Sequence, residues 1–578
     1  MKFQARCFVL VFTLIVAPLC LAGGGMQPER ADNGMVASVH ELASQAGVDM
    51  MKAGGNAIDA AVATGFALAV VHPAAGNLGG GGFMLVRMSS GETHFLDFRE
   101  KAPGKATSTM YLDAQGNVVP GLSRVGYKAS GVPGSVKGMV HAQKKFGKLT
   151  LQQVVAPAIR LAREGFELDW AEARSLTNDR NMPNFPDSKR IFQNDGKGWH
   201  QGDVLKQPEL ARTLERIVAN PDEFYTGKMA REIAEFVQQG GGLITVQDLK
   251  NYDVVDRTPV RGSYRGLEII SAPPPSSGGI ALVETLNILE GFDIAKAGFG
   301  SAESIHLISE SYRRAFYDRA QFLGDPEFST LPVIELADKK YSVDWRASVD
   351  PQRATASSRL ERPQVSKALA EYAKKKPVKA AAPESTETTH YSVVDKEGNA
   401  VAVTTTLNGS YGSKVTIGSL GFLLNNEMDD FSSKAGVPNM FGLIQSDANL
   451  VGPNKRPLSA MTPTIVLKDG KLWLVLGSPG GPTIITTVTN ILVGVADFGL
   501  DIQQAVNAPR FHHQWIPDRI QMERNRFSPD TVKLLEARGH KIGFGLGGDG
   551  ECIQIDLATG QRLGASDGRN ERGRAVGY

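Results

Sequence analysis

Cysteine is almost missing from this sequence: 578 residues contain three, Cys7, Cys20 and Cys552. The first two fall inside an apolar leader, so the remaining chain holds one thiol and cannot close an internal disulfide. Nothing around Cys552 marks a nucleophile, and its expected role is that of a buried structural thiol. Charge of one sign is missing too, since 63 basic and 61 acidic residues leave a formal net charge of +2. That excludes a broad field to hold nucleic acid or an anionic membrane and favours a small-molecule substrate. Beyond the leader no apolar run approaches the roughly 20 residues that span a bilayer, and no repeat at solenoid spacing occurs. What is present, at 42% hydrophobic content, suffices for a large core without disulfides.

Lys2 and Arg6 precede the apolar run 7–21, which Ala22 and Gly23-Gly24-Gly25 close. Charged, apolar and small-residue regions in that order predict a signal peptide over 1–22, with export to the periplasm or the medium. A membrane anchor is the alternative reading of the same run. Over 36–71 apolar residues recur at helical spacing, predicting two helices broken at Gly54-Gly55-Asn56. The glycines of 76–82 follow a helix and open a strand at 83–86, with a second strand at 93–98. A dinucleotide loop does the reverse, following a strand and opening a helix, so these glycines are not a phosphate cradle. Residues 154–336 read as mainly helical. The segment 361–387 is polar and poor in large apolar groups, which predicts a mobile surface loop or a plain linker. Strand periodicity then takes over, with hairpins at 390–395/400–407 and 464–468/471–476, followed by helices at 484–498 and 529–538. Helices, then strands, then helices predict an α+β chain with a sheet between helical layers.

Several familiar signatures fail on physical grounds. Gly564-Ala565-Ser566-Asp567-Gly568 has the spacing of a nucleophile elbow, but that fold needs a later histidine and the last one is His540. A glycine-rich turn is expected there instead. His40-Glu41 has Ser44 where a zinc helix needs its second histidine. His512 and His513 project to opposite sides of an extended chain and are assigned structural roles. No residue set calls for a metal or an organic cofactor.

Thr388-Thr389-His390-Tyr391-Ser392 stands at the junction of the polar segment and the first hairpin. With it come Asp97-Phe98-Arg99-Glu100, Thr404-Thr405-Thr406-Leu407-Asn408, Asn425-Asn426-Glu427-Met428-Asp429-Asp430-Phe431, Arg456-Pro457-Leu458-Ser459 and Gly477-Ser478-Pro479-Gly480-Gly481. On these blocks, in this order, the chain resembles a γ-glutamyltransferase, a member of the N-terminal nucleophile hydrolases. The resemblance covers nearly everything after the leader. It implies a four-layer αββα sandwich formed jointly by the two chains of a cleaved precursor. Those chains are a large subunit, 23–387, ending in the pre-cleavage loop 361–387, and a small catalytic subunit, 388–578, held together as a heterodimer.

The chemistry explains the residue types. A threonine hydroxyl is a poor nucleophile until its proton is removed, and a free α-amine with a reference pKa of about 7.7–8.0 can take that proton on the same residue. This predicts autoproteolysis: the Thr388 hydroxyl attacks the Glu387 carbonyl, an ester forms by N-to-O shift, and water releases two chains. By the resemblance, Thr406 orients the Thr388 hydroxyl, and the N–H groups of Gly480 and Gly481 form an oxyanion hole. Arg99, Ser459 and the backbone N–H of Ala460 bind an α-carboxylate, while Asn408, Glu427 and Asp430 hold an α-ammonium. The expected substrates are glutathione and other γ-glutamyl compounds, the acyl group passing to water, an amino acid or a dipeptide. Many bacterial relatives carry a serine where this chain has Ala460 and a lid tyrosine where it has Phe441, so one hydroxyl contact and one lid hydrogen bond are lost. A cephalosporin acylase, cleaving a glutaryl side chain without an α-amine, is the rival on this scaffold, and a processed but inactive binding protein is another. Glu427 and Asp430 argue against the acylase, because both would face an absent ammonium.

Overall fold

Short runs of β-branched and aromatic residues pair into two seven-stranded antiparallel sheets. The computed structural model describes residues 27–363 and 388–578, apart from 435, 436, 438, 441 and 444. One sheet runs in the order Arg574–Gly577, Met35–Ser38, Thr389–Val394, Ala400–Thr406, Gly81–Arg87, Thr93–Phe98 and Val255–Arg257. The other runs Glu29–Ala31, Arg562–Ala565, Cys552–Ile555, Lys471–Leu476, Thr464–Lys468, Leu267–Ser271 and Val260–Tyr264. The strand that begins just after Thr388 is therefore central, between Met35–Ser38 and Ala400–Thr406.

The two-residue period of a strand decides which side chain faces which layer. On the central hairpin Val393, Val401 and Val403 pack into the helix-facing core, whereas Val394, Ala400 and Ala402 join Phe83, Ile465 and Ile553 between the sheets. Small alanines on the inner face let the sheets approach. Glu41–Lys52, Ala57–Val71 and Ser135–Phe146 cover the outside of the first sheet, and Gly278–Leu289, Ala302–Phe322 and Thr483–Ala496 lie in the helical layer outside the second. The result is a four-layer αββα arrangement. Ala57–Val71 is buried on every side, as expected for a helix that is apolar all round. A capping box between Asn56 and Asp59 starts it.

The expected hairpins occur as Thr389–Val394 with Ala400–Thr406 and Thr464–Lys468 with Lys471–Leu476. Three expectations are corrected. The residues expected to start the first helix belong to the strand Met35–Ser38, and the helices are Glu41–Lys52 and Ala57–Val71; a short apolar run has no period of its own, and pairing with Thr389–Val394 decides it. The stretch read as mainly helical contains the hairpin Val260–Tyr264/Leu267–Ser271, whose turn places Arg265 at φ 47° and Gly266 at φ 82°. That is type I′ geometry, and Arg-Gly is a weaker signal for it than Asn-Gly. Gly564 and Ala565 end the strand Arg562–Ala565 and do not lie in a turn. Residues 1–22, most of 361–387 including Glu387, and Phe441 lie outside the described residues.

Candidate active site

Thr388 is buried at the head of the central strand, and its Oγ1 lies 3.3 Å from Thr406 Oγ1 on the neighbouring strand. Asn408 N–H donates to Thr406 Oγ1 at 2.8 Å, which ties the hydroxyl beside Thr388 to the backbone. The glycines that lead into and open the first sheet's Gly81–Arg87 strand make this possible. A Cβ on Gly80 would sit 2.0 Å from the Thr406 carbonyl oxygen, and one on Gly82 would sit 2.3 Å from that of Thr404. These glycines serve close backbone approach, with Asn77 Nδ2 donating to the Thr406 carbonyl at 2.9 Å.

The opposite wall carries charge. Arg99 is completely buried, with Nη1 2.5 Å from Glu427 Oε1, Nη2 2.5 Å from Asp430 Oδ2, and Nη1 3.8 Å from Glu100 Oε2. Burial opposes the Arg99 charge, but Glu427, Asp430 and Glu100 outweigh it and hold its pKa above the ordinary value. Burial pushes Glu427 well above the usual carboxylate range and Glu100 up to about 7, each against the pull of Arg99. Three carboxylates thus crowd one guanidinium in a dry site, and a bound proton relieves the excess.

One pocket is lined by Thr388, Thr406, Arg99, Asn408, Glu427 and Asp430. Ser459, Ala460 and Gly481 line it as well, whereas Gly480 is not among its lining residues. Asn408, at φ 78°, gives its Nδ2 to the Asn426 carbonyl at 3.0 Å, which leaves Oδ1 as its acceptor. Ser459 Oγ accepts the Met461 N–H at 3.1 Å. Gly480 and Gly481 take φ of 129° and 55°, and their carbonyls accept the N–H groups of Thr483 and Ile484, starting the helix Thr483–Ala496. The free space is about 20 Å³, room for roughly one water, because Arg99 closes onto the two acids.

Arg319 also lines this pocket and was not among the residues expected from sequence. Its Nε donates to Ser277 Oγ at 2.7 Å, while Nη1 and Nη2 have no hydrogen-bond partner among the described residues. Burial pushes it down to about 10, against the attraction of Asp430. The available signal was its setting: Ala302–Phe322 carries charges on all sides yet is bounded by apolar residues, and buried charges need partners.

Other polar groups take structural positions. His390 bonds Thr404 Oγ1 at 2.9 Å and Ser392 Oγ at 3.1 Å between the sheets, and burial pushes its imidazole down to about 3. His512 bonds Thr486 and Gln514, and His513 lies 3.5 Å from Asp518. Cys552 is buried, and burial pushes its thiol up to about 12. Among the described residues, His306, Glu310 and His540 bring ligand-type atoms within 4.8 Å of one another. His306 already bonds His540 and the Asp350 carbonyl, and Glu310 is ion-paired with Arg313 and Arg314. That set is a satisfied network and offers no open coordination sphere.

The family model for gamma-glutamyltranspeptidase matches residues 43–577. The chain belongs to this family. It is 51% identical over 555 residues to the glutathione hydrolase proenzyme of Escherichia coli (strain K12), covering 95% of this chain and 93% of that protein. The glutathione hydrolase proenzyme of Pseudomonas sp. (strain A14) is 46% identical over the full length of both. Among solved structures, a cephalosporin acylase from Bacillus halodurans superposes with a TM-score of 0.81 at 26% identity, over 100% of this chain and 99% of that one. The αββα layers are therefore shared with a protein named for a different substrate.

Proposed function

We propose that this chain is an autoprocessed γ-glutamyltransferase and glutathione hydrolase of the N-terminal nucleophile type. The observation that carries the reading is one pocket in which the Thr388 hydroxyl, touching Thr406, faces a buried cluster of Arg99, Glu427 and Asp430. Thr388 attacks the γ-amide of a donor such as glutathione, its own α-amine taking the proton once the bond from Glu387 is cut. The N–H groups of Gly480 and Gly481 receive the oxyanion. Arg99, Ser459 and the Ala460 N–H take the donor's α-carboxylate, while Asn408, Glu427 and Asp430 take its α-ammonium. A zwitterionic head group fits a site where acids and a guanidinium now neutralise one another: its ammonium replaces Arg99 on the acids and its carboxylate engages the freed guanidinium. In the small free volume, that exchange requires side-chain movement. The covalent γ-glutamyl-threonine then passes its acyl group to water, an amino acid or a dipeptide.

Maturation completes this reading. Export by the 1–22 leader delivers a precursor to the periplasm or medium, and cleavage before Thr388 yields subunits 23–387 and 388–578 that stay together as a heterodimer. Support for a tight association comes from the interleaved first sheet, in which Thr389–Val394 lies between Met35–Ser38 and Ala400–Thr406, and Ala400–Thr406 next to Gly81–Arg87. No helix among the described residues is long and apolar enough to cross a membrane. A denaturing gel with N-terminal sequencing is the test: two bands are expected, the smaller beginning Thr-Thr-His-Tyr, and a single active chain overturns the proposal.

The likeness to a cephalosporin acylase supports a second reading, a glutaryl acylase. Glu427 and Asp430 weigh against it, since a glutaryl group brings no cation to either acid. Faster release from γ-glutamyl-p-nitroanilide than from its glutaryl counterpart is expected, and the reverse preference establishes the acylase.

A further inference from the structure

A second cavity, of about 230 Å³, lies outside the catalytic pocket where the start of the helix Ala302–Phe322 meets Thr483–Ala496 and the loop before Pro529–Ala537. Its inner surface is apolar: Ile305, Ile308, Val493 and Phe511 line it, each buried. Its mouth is aromatic. Phe299, 49% exposed, packs edge-on against Phe498 with ring centroids 5.4 Å apart, and Phe527 packs edge-on against Phe511. A half-exposed phenylalanine over a preformed apolar cavity costs hydration free energy that an apolar ligand recovers.

The polar atoms around this cavity are mostly engaged. Asn490 donates to the Phe511 carbonyl and accepts from Tyr312 Oη, Ser304 Oγ donates to the Ser301 carbonyl, and Ser528 Oγ accepts the Asp530 N–H. The two lining arginines differ. Arg526 gives one Nη to the Asn507 carbonyl and, among the described residues, pairs with no carboxylate. Arg510 is buried and ion-paired with Asp567, but its Nε has no hydrogen-bond partner among the described residues. The net preference is for an anion attached to an apolar body. Size narrows the class: 230 Å³ is about half as large again as the roughly 150 Å³ apolar cavity that accepts benzene.

We propose that this cavity binds a small aromatic carboxylate, its ring system against Ile305, Val493 and Phe511 and its carboxylate on Arg526. The site is separate from the γ-glutamyl pocket, and no acid lines it to receive an ammonium. Ring burial supplies affinity and the guanidinium supplies selection for negative charge.

Calorimetric titration of the processed enzyme with indole-3-acetate, indole and tryptamine tests this. Indole-3-acetate is expected to bind one per enzyme, and tryptamine, a cation on the same indole ring, about tenfold or more weakly. Arg526→Ala is expected to erase that preference. Ala508→Trp, at a half-buried lining position, is expected to abolish binding while hydrolysis of γ-glutamyl-p-nitroanilide continues, which shows that the variant is folded. Absence of binding by all three probes overturns the proposal. So does equal affinity for anion and cation, binding that survives Ala508→Trp, or competition with a γ-glutamyl donor.

Discussion

The two walls of the catalytic pocket are built by opposite means. The Thr388 wall is neutral and made by backbone: a central strand, a neighbouring hydroxyl at 3.3 Å, and glycines that let the adjacent strands close in. The Arg99 wall is charged and made by side chains distant in sequence, with Glu100, Glu427 and Asp430 gathered on one guanidinium. The first wall, in the proposed reading, fixes where a bond is broken. The second is crowded with like charge, and a ligand carrying both an ammonium and a carboxylate relieves it. Position is thus set by the sheet and selectivity by an electrostatic excess.

The sharpest way to break this division is at the nucleophile. Thr388→Ala removes the atom proposed for covalent attack, so turnover is expected to fall by about a thousandfold or more. The protein should also remain a single chain on a denaturing gel. Activity within tenfold of wild type, or normal cleavage, would place the chemistry elsewhere.

Next comes the charged wall. Arg99→Ala leaves buried carboxylates without their cation, and breaking a buried pair costs about 3–5 kcal/mol. The expected loss in kcat/KM is roughly a hundredfold or more, with a lower urea midpoint. Asp430→Asn keeps the shape and removes one charge, so it should raise KM for the γ-glutamyl anilide far more than for the glutaryl anilide. Equal effects on both substrates would remove the distinction between the walls.

Smaller is the effect of crowding the neutral wall. Gly82→Ala would set a methyl 2.3 Å from the Thr404 carbonyl oxygen, and the strands would have to part. Overpacking of this kind costs about 1–3 kcal/mol, to be read as a lower urea midpoint and slower turnover with KM little changed. A KM effect as large as that of Asp430→Asn would show that the backbone also selects the head group.

The same contrast explains what could be read from sequence. Thr388, the hairpin after it and the glycine run are local: period-two alternation and glycine placement mark them within a few residues. The hairpin Val260–Tyr264/Leu267–Ser271 lacked a strong turn signal and was hidden among helices. Met35–Ser38 owes its strand state to pairing with residues some 350 positions later. Arg99, Glu427 and Asp430 were legible because they stand in short family-like blocks. Arg319 had no such block, and only the fold reveals that its two Nη atoms lack partners among the described residues. Nor did the blocks reveal that Arg99 closes directly on the acids assigned to the ammonium, a consequence of three-dimensional crowding.

That closure carries the smallest expected effect, a dependence of stability on pH. Burial holds Glu427 well above its ordinary value of 4.5 and Glu100 at about 7, so the folded chain keeps protons that the unfolded chain has released. The stabilisation these groups give relative to their charged forms is fully present below about pH 4.5 and is lost as pH rises toward 7 and beyond. Glu427→Gln removes one of the two titrations without removing the side chain's volume. The wild-type advantage over this variant, from urea midpoints at pH 5 and pH 7.5, is therefore expected to shrink at the higher pH. A γ-glutamyl donor should act in the opposite sense, its ammonium stabilising the Glu427 carboxylate and expelling the proton. Calorimetry in buffers of different ionisation enthalpy would then detect proton release for the γ-glutamyl compound and not for its glutaryl analogue. A pH-independent difference between wild type and variant, together with equal proton counts for both ligands, would mean that the charged wall is as settled as the neutral one.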